Sequence, residues 1–248
     1  MEFDLSLIVN SLPLLLKGAG LTLEITALAV GLGLIIGLFL GLAQLSKNPI
    51  FRWPAKVYVD VIRGTPLLIQ IFIIYFALPN IIGERIDPYI AAVAACSLNS
   101  GAYIAEIFRA GIQSIPKGQS EAARSLGMSA AQTMVSIIIP QTFRNVIPTL
   151  TSEFILLYKD TSLLAAVGVM EIVMYAKTIV ATTGSITPYV VAALFYLVVT
   201  LPLARVVSLL ELRLTGATAG TNAGPLGKNP AKSAGTMVPT PADHIANL

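Results

Sequence analysis

The chain has 248 residues, 55% apolar and 12% charged, with a formal net charge of +3 and a mean hydropathy of +0.79. These values fall outside the range of soluble globular proteins; they leave room for roughly five or six membrane spans with short loops, but not for a large soluble catalytic domain. A single cysteine, Cys96, and a single histidine, His244 near the C-terminus, exclude a disulfide framework, a His/Cys metal site and an intramembrane Ser/His catalytic pair.

The opening stretch MEFDLSLIVNSLPLLLKGAG starts acidic and has only a short apolar run, so it reads as an interfacial helix leading into the first span, not as a cleavable signal peptide. Span-length apolar runs follow at about 19–44, 57–79, 88–112, 149–168 and 186–210. In the first, Gly33, Gly37 and Gly41 share one face and predict the close approach of another helix. In the second, VIRGTPLLIQIFIIYFALP offers Thr65 as an N-cap before Pro66. Helix from there to Pro79 would cover only about 20 Å of a roughly 30 Å hydrocarbon core, which predicts a break near Arg63 and Gly64. In the third, Cys96 is expected to be a small buried apolar residue. Asp60 and Arg63, and likewise Glu106 and Arg109, are three residues apart, a spacing that suits helix-end ion pairs or gating groups.

Residues 121–140, EAARSLGMSAAQTMVSIIIP, are polar where their surroundings are apolar. The spacing predicts a short helix over about 118–126 ended by Gly127 as a left-handed cap. A second helix should open on a Ser129–Gln132 capping box and end or kink at Pro140. The tip would expose Glu121, Ala122, Ala123 and Arg124, with Glu121 and Arg124 close enough for a weak mutual pair. Such an elbow is either a docking surface for another protein's groove or a solvated loop without a partner. The fourth span carries Glu153 and Asp160 seven residues apart, on one helical stripe and about 10 Å apart along the axis. Neither carboxylate can face lipid, so both should line a polar cavity or find partners, and Lys159 is badly oriented to serve Asp160. Residues 168–185, with Glu171, Lys177 and a TTGS cluster, read as an outer-face helix and not as a sixth span.

From 215 onward the sequence is rich in Gly, Ala, Thr and Pro and reads as a disordered cytoplasmic tail behind a 1–214 transmembrane domain. GPLGKN in that tail is not a phosphate loop, because Asn222 and Asn229 stand where glycine and Ser/Thr are required. With five spans, the segments 44–63, 109–144 and 205–232 share one side and hold twelve of the sixteen Lys and Arg residues. That side is expected to be cytoplasmic, with the N-terminus outside and the C-terminus inside.

E-A-A, three residues, Gly, nine residues and Ile-x-Ile-Pro place Glu121, Ala122, Ala123, Gly127, Ile137 and Pro140 in a pattern that resembles the EAA loop of ATP-binding-cassette importer permeases. Ile139, where leucine is usual, is the one departure. IRGTPLLIQ, YIAEIFRAGIQSIPKGQSEAARSLGM and KDTSL are similar to the permeases for polar amino acids of the histidine, glutamine and arginine group, and the resemblance covers about residues 10–214.

The resemblance implies an all-α integral membrane protein of the type I importer permease fold, with about five transmembrane helices and a cytoplasmic coupling loop at about 113–140. It implies a bacterial inner-membrane location and a subunit that is not an enzyme by itself. The expected partners are a second permease subunit, identical or homologous, a pair of ATPase subunits that bind ATP and Mg, and a substrate-binding protein. No cofactor of its own and no nucleic-acid partner are expected. Glu121, Ala122, Ala123, Arg124 and Gly127 would contact the ATPase. Glu153 and Asp160 would bind the ammonium groups of an amino acid, while Asn99, Ser100, Thr161 and Ser162 donate to its carboxylate. Two acids favour arginine, lysine or histidine over glutamine. An ion-coupled secondary carrier is the rival reading, but no internal repeat is visible and the EAA loop would be unexplained.

Overall fold

The computed structural model describes residues 6–221, which are helical apart from short connections. Helix α1 (Ser6–Gln44) is unbroken for 39 residues, so the expected interfacial segment and first span form one rod of about 58 Å. Helix α5 (Pro88–Ser114) is the second regular element, started by Asp87, whose side chain accepts from the amides of Tyr89 and Ile90. These two helices form the most extensive pairing in the chain. The small-residue face makes this possible: a Cβ on Gly37 would lie 2.5 Å from Ile104 Cγ2, and one on Gly41 2.9 Å from the Ala105 carbonyl oxygen. Around the seam lies the main core, with Ile25, Ala29, Ile71, Ala95, Phe108 and the free, fully buried Cys96. Glu24, the one acid in the first apolar run, is answered from α5 by the Tyr89 hydroxyl at 2.7 Å.

The other elements are segmented. Helix α2 (Pro49–Arg63) and the run formed by α3 (Leu67–Phe72), a π turn (Ile73–Ala77) and α4 (Leu78–Ile82) meet at 105°, so the predicted break is real. Thr65 does not cap the helix that follows it. Its hydroxyl donates backward to the Val61 and Ile62 carbonyls, and Pro66 occupies the N-cap without a side-chain bond. Pro79 does not end the segment either; the chain turns at Gly83, where φ is +79°. After α5 come α6 (Lys117–Ser125), α7 (Ala130–Thr133), a π turn (Met134–Ile138) and α8 (Ile139–Asp160). Pro140 was expected to end or kink its helix, yet helix continues through it. In a regular α-helix the Pro140 ring would collide with the carbonyl of Ser136, and the π turn places its wider loop over that residue. The same device precedes Pro79.

The fourth span is α-helical only to Asp160 and proceeds as a 3₁₀ segment over Thr161–Val167. Helix α9 (Ile172–Thr183) has 12 residues, about 18 Å, too short to cross a bilayer alone. Its N-cap is the fully buried Glu171, which accepts from the amides of Val173 and Met174 and from the Tyr196 hydroxyl. The last helix, α10, runs over Thr187–Thr221. Among the described residues, three helices are long and apolar enough to cross a membrane, and the count is five if each of two bent pairs crosses once. The first compact unit ends at Leu212. Residues 215–221, at the start of the expected disordered tail, are helical, and 222–248 lie outside the described residues.

Candidate functional site

Two neighbouring cavities open between α2, α3, α5 and α8. The smaller one, about 320 Å³, is lined by Arg63, Thr65, Asn99, Tyr103, Glu153 and Asp160 among others. The second, about 550 Å³, shares Arg63, Tyr103, Glu153 and Leu156 with it and continues toward Ser114 at the end of α5. Glu153 and Asp160 share one uninterrupted helix and line one cavity, as the stripe argument requires. A volume near 300 Å³ is at the small end of ligand pockets, suited to a molecule of amino-acid size.

The elbow between α2 and α3 shapes this cavity. Breaking a helix leaves carbonyls without intrahelical donors, and in a low-dielectric setting these need partners. Gln70, 7% exposed within the apolar run LLIQIF, supplies one: its side-chain amide donates to the Ile62 carbonyl at 2.8 Å and to the Thr65 carbonyl and hydroxyl at 3.1 and 3.0 Å. Its own carbonyl oxygen accepts from Asn99 at 3.0 Å. Gln70 therefore ties the elbow to α5 and fixes the orientation of Asn99 at the cavity wall. Sequence reasoning passed over Gln70, although a lone amide among Leu, Ile and Phe in a span is the signal that finds such residues.

Arg63 was also misplaced. Its expected partner was Asp60; instead it lies 4.0 Å from Glu106 and 5.4 Å over the Tyr103 ring. Glu106 does pair with Arg109, as expected, so one carboxylate is shared between two guanidinium groups. The reason is the elbow: once α2 stops at Arg63, that side chain is free to turn toward α5 rather than back along its own helix.

Three of the expected carboxylate donors are elsewhere. Ser100 is fully buried at the α1–α5 seam, its oxygen 3.0 Å from where a Cβ on Gly33 would sit. Thr161 is fully buried and donates to the Tyr158 carbonyl, the local bond that accompanies the change to 3₁₀ geometry. Ser162 does not line either cavity. Only Asn99 of that set reaches the cavity with the two acids.

The elbow at 117–129 has the predicted joints. Gly127 has φ of +85°; its amide donates to the Arg124 carbonyl and that of Met128 to Ala123, which closes α6 as a Schellman turn. Ser129 and Gln132 form both halves of the capping box. Glu121 and Arg124 do not pair with each other, because the Arg124 guanidinium donates to the Met128 carbonyl beyond the turn. Ala123 is buried, not exposed at the tip, while Glu121, Ala122 and Arg124 are exposed and Leu126 projects with 84% of its surface free.

Comparison with known proteins accounts for this arrangement. The chain is 42% identical over 216 residues to the glutamine transport system permease protein GlnP of Escherichia coli K12, covering 86% of this chain and 99% of that one. It is 39% identical over 215 residues to the arginine transport system permease protein ArtQ of Bacillus subtilis, covering 86% and 98%. A crystal structure of an amino acid ABC transporter with histidines superposes with a TM-score of 0.80 at 41% identity, covering 86% of this chain and all of that one. Inward-facing MetNI methionine ABC transporter structures share the fold at 20% identity, with a TM-score of 0.66 over 79% of this chain and 96% of that one. The fold is that of type I ABC importer permeases, and the ion-coupled carrier is left without support. Residues 33–216 match the binding-protein-dependent transport system inner membrane component family, and the chain belongs to that family of ABC importer permeases, multi-pass proteins of the inner membrane that work with an ATPase and a substrate-binding protein.

Proposed function

We propose that this chain forms the translocation pathway of an ATP-driven importer for a basic amino acid. The observation that carries the reading is one cavity in which Glu153 and Asp160 face Arg63 and Asn99. A zwitterion brings one carboxylate, for which Arg63 is a forked donor, and one ammonium, for which one acid suffices. The second acid matches a second positive charge at side-chain distance, which favours arginine, lysine or histidine over glutamine. Relatives named for arginine and for glutamine are similarly close in sequence, so the reading rests on the charge balance of the cavity.

Asn99 keeps its proposed role beside Arg63, whereas burial argues against Ser100 and Thr161. Glu121, Ala122, Arg124 and Leu126 dock in the ATPase, with Gly127 setting the angle of the elbow and Ala123 bracing it from within. Two such permease subunits, identical or homologous, sit on a pair of ATPase subunits that hold ATP and Mg; this chain is not an enzyme by itself. Closure and reopening of the ATPases rock the spans to give alternating access. The twelve Lys and Arg residues of the 44–63, 109–144 and 205–232 segments support a cytoplasmic C-terminus and an outer N-terminus.

Calorimetry on the detergent-solubilised complex with its ATPase tests this. Arginine or lysine should bind, and Glu153→Gln and Asp160→Asn should each weaken binding on the order of tenfold or more, the loss of one charged hydrogen bond. Unchanged affinity in both variants would put the site elsewhere.

A further inference from the structure

Beyond the transport pathway lies a third cavity, of about 610 Å³, between the end of α1, the outer side of α2 and the last turns of α5. Its walls carry Arg52, Lys56, Arg63 and Arg109 against Asp60 and Glu106. Glu106 is already engaged by both Arg63 and Arg109, so the cavity has an excess of two positive charges. Gln44 also lines it, and the side-chain nitrogen of Gln44 is buried without a hydrogen-bond acceptor. A buried amide donor left unmade costs free energy and implies an acceptor. Cations together with an unanswered donor define a place for an oxyanion.

The surface beside the cavity says which kind of oxyanion. Helix α2 has three stripes. Ala55 and Val59 are buried against the protein, with Val59 packing on Ala102 and Ala105. Arg52, Lys56 and Arg63 fall within about 40° of one another on the next stripe. Ile50, Trp53, Val57 and Val61, from 39% to 73% exposed, fall within about 80° on the third. A cationic stripe bordered by an apolar stripe bearing tryptophan is the pattern of a helix seated at a membrane–water interface. The cavity is also at the end of α5 that leads directly into α6, the end where the basic residues gather.

We propose that this cavity holds the phosphate headgroup of an anionic phospholipid, with its acyl chains along the Trp53 face of α2. Arg52 and Lys56 supply the charge and Gln44 donates to a phosphate oxygen. Occupancy braces α2 against α5 immediately behind Arg63, so lipid composition bears on the rigidity of the elbow.

The test uses the delipidated complex with its ATPase, titrated with phosphatidylglycerol or phosphatidylcholine and read by native mass spectrometry. Phosphatidylglycerol should be retained and phosphatidylcholine not. Arg52→Gln with Lys56→Gln should weaken retention on the order of 30-fold, from two basic groups near the surface, while Arg52→Lys with Lys56→Arg keeps it. Gln44→Leu, which leaves every charge in place, should weaken it several-fold and serves if the double variant fails to assemble. Equal retention of the two lipids, or full retention by either Gln44→Leu or an assembled double variant, overturns the proposal. Inorganic phosphate at millimolar concentration should not displace the lipid; displacement would make this a site for soluble anions and overturn the lipid assignment.

Discussion

Gly127 permits a clean test of the coupling elbow because space and backbone conformation are separated there. A Cβ on Gly127 would meet no atom within 4 Å, yet φ is +85°. Within the subunit, any effect of substitution is therefore conformational. An L-residue in this region costs about 1–2 kcal/mol, with asparagine the best tolerated and a β-branched residue the worst. The strain can be relieved only by unwinding the cap, which gives up the Gly127 and Met128 amide bonds and the Arg124 contact to the Met128 carbonyl. A penalty of that size shifts the elbow between its ordered and unwound forms by roughly 5- to 30-fold. Gly127→Val should thus insert and fold, hydrolyse ATP, and transport in reconstituted vesicles at a several-fold lower ratio of substrate moved to ATP consumed. Gly127→Ala should be intermediate and Gly127→Asn nearest to wild type. If valine matched asparagine in that ratio, the left-handed joint would have no part in coupling.

The α1–α5 seam predicts a contrast between two glycines of one helix: Gly37→Ala meets Ile104 Cβ at 2.7 Å and the Ala105 amide nitrogen at 2.9 Å, whereas Gly31→Ala meets nothing within 4 Å. Gly37→Ala should destabilise by about 1–3 kcal/mol and Gly31→Ala should be neutral or slightly stabilising, as read from thermal unfolding in detergent. Exchanging charges at positions 60 and 63, Asp60→Arg with Arg63→Asp, should abolish most uptake into vesicles, because it sets a fourth acid beside Glu106, Glu153 and Asp160; near-normal uptake would remove Arg63 from the pathway. Gln70→Leu should lower stability by about 1–2 kcal/mol and weaken substrate binding by loosening Asn99, with unfolding and calorimetry as the two readouts.

What could be read from the sequence follows from how local each cause is. Gly127, the Ser129–Gln132 box, the break at Gly64 and the Gly33–Gly37–Gly41 face are written in residues whose effect acts within a turn or along one helix face, and all were legible. Hydropathy located the long apolar helices and the Arg63–Gly64 break, but not that the fourth apolar run and the helix after it form a second bent pair. The π turns before Pro79 and Pro140 were not, because proline signals that a regular helix is impossible without saying whether the chain will stop, kink or widen. Arg63 and Ser100 failed for another reason. A span of three residues suggests a partner on the same helix, but the partner actually chosen depends on which neighbouring helix the break turns the side chain toward. Ser100 shares a stretch with Asn99, and adjacent helical residues point about 100° apart, so one reached the cavity and the other the seam. Without knowing where α1 lies, the sequence offered no way to choose between them.

The irregular elements are not scattered. The α2–α3 elbow and the change from α to 3₁₀ geometry at Thr161 border the two-acid cavity, while the π turn at Met134–Ile138 separates α8 from the α6 elbow. Helices α1 and α5, by contrast, are unbroken and held at close range by glycine contacts that leave no slack. A π turn, a 3₁₀ segment and a glycine joint each have weaker or fewer regular hydrogen bonds than an α-helix, so they yield before it does. Helix α6 continues from α5 on one side and leads on the other through the capped α7 and the π turn into α8, whose far end carries Glu153 and Asp160. The opposite wall belongs to α5: Asn99 is part of it, and Arg63 is held to it through Glu106. A displacement of α8 relative to the α1–α5 pair therefore changes the distance between Glu153 and Asp160 on one side and Arg63 and Asn99 on the other, the groups proposed above for the ammonium and the carboxylate. That is the geometric change needed to bind an amino acid in one state and release it in the other.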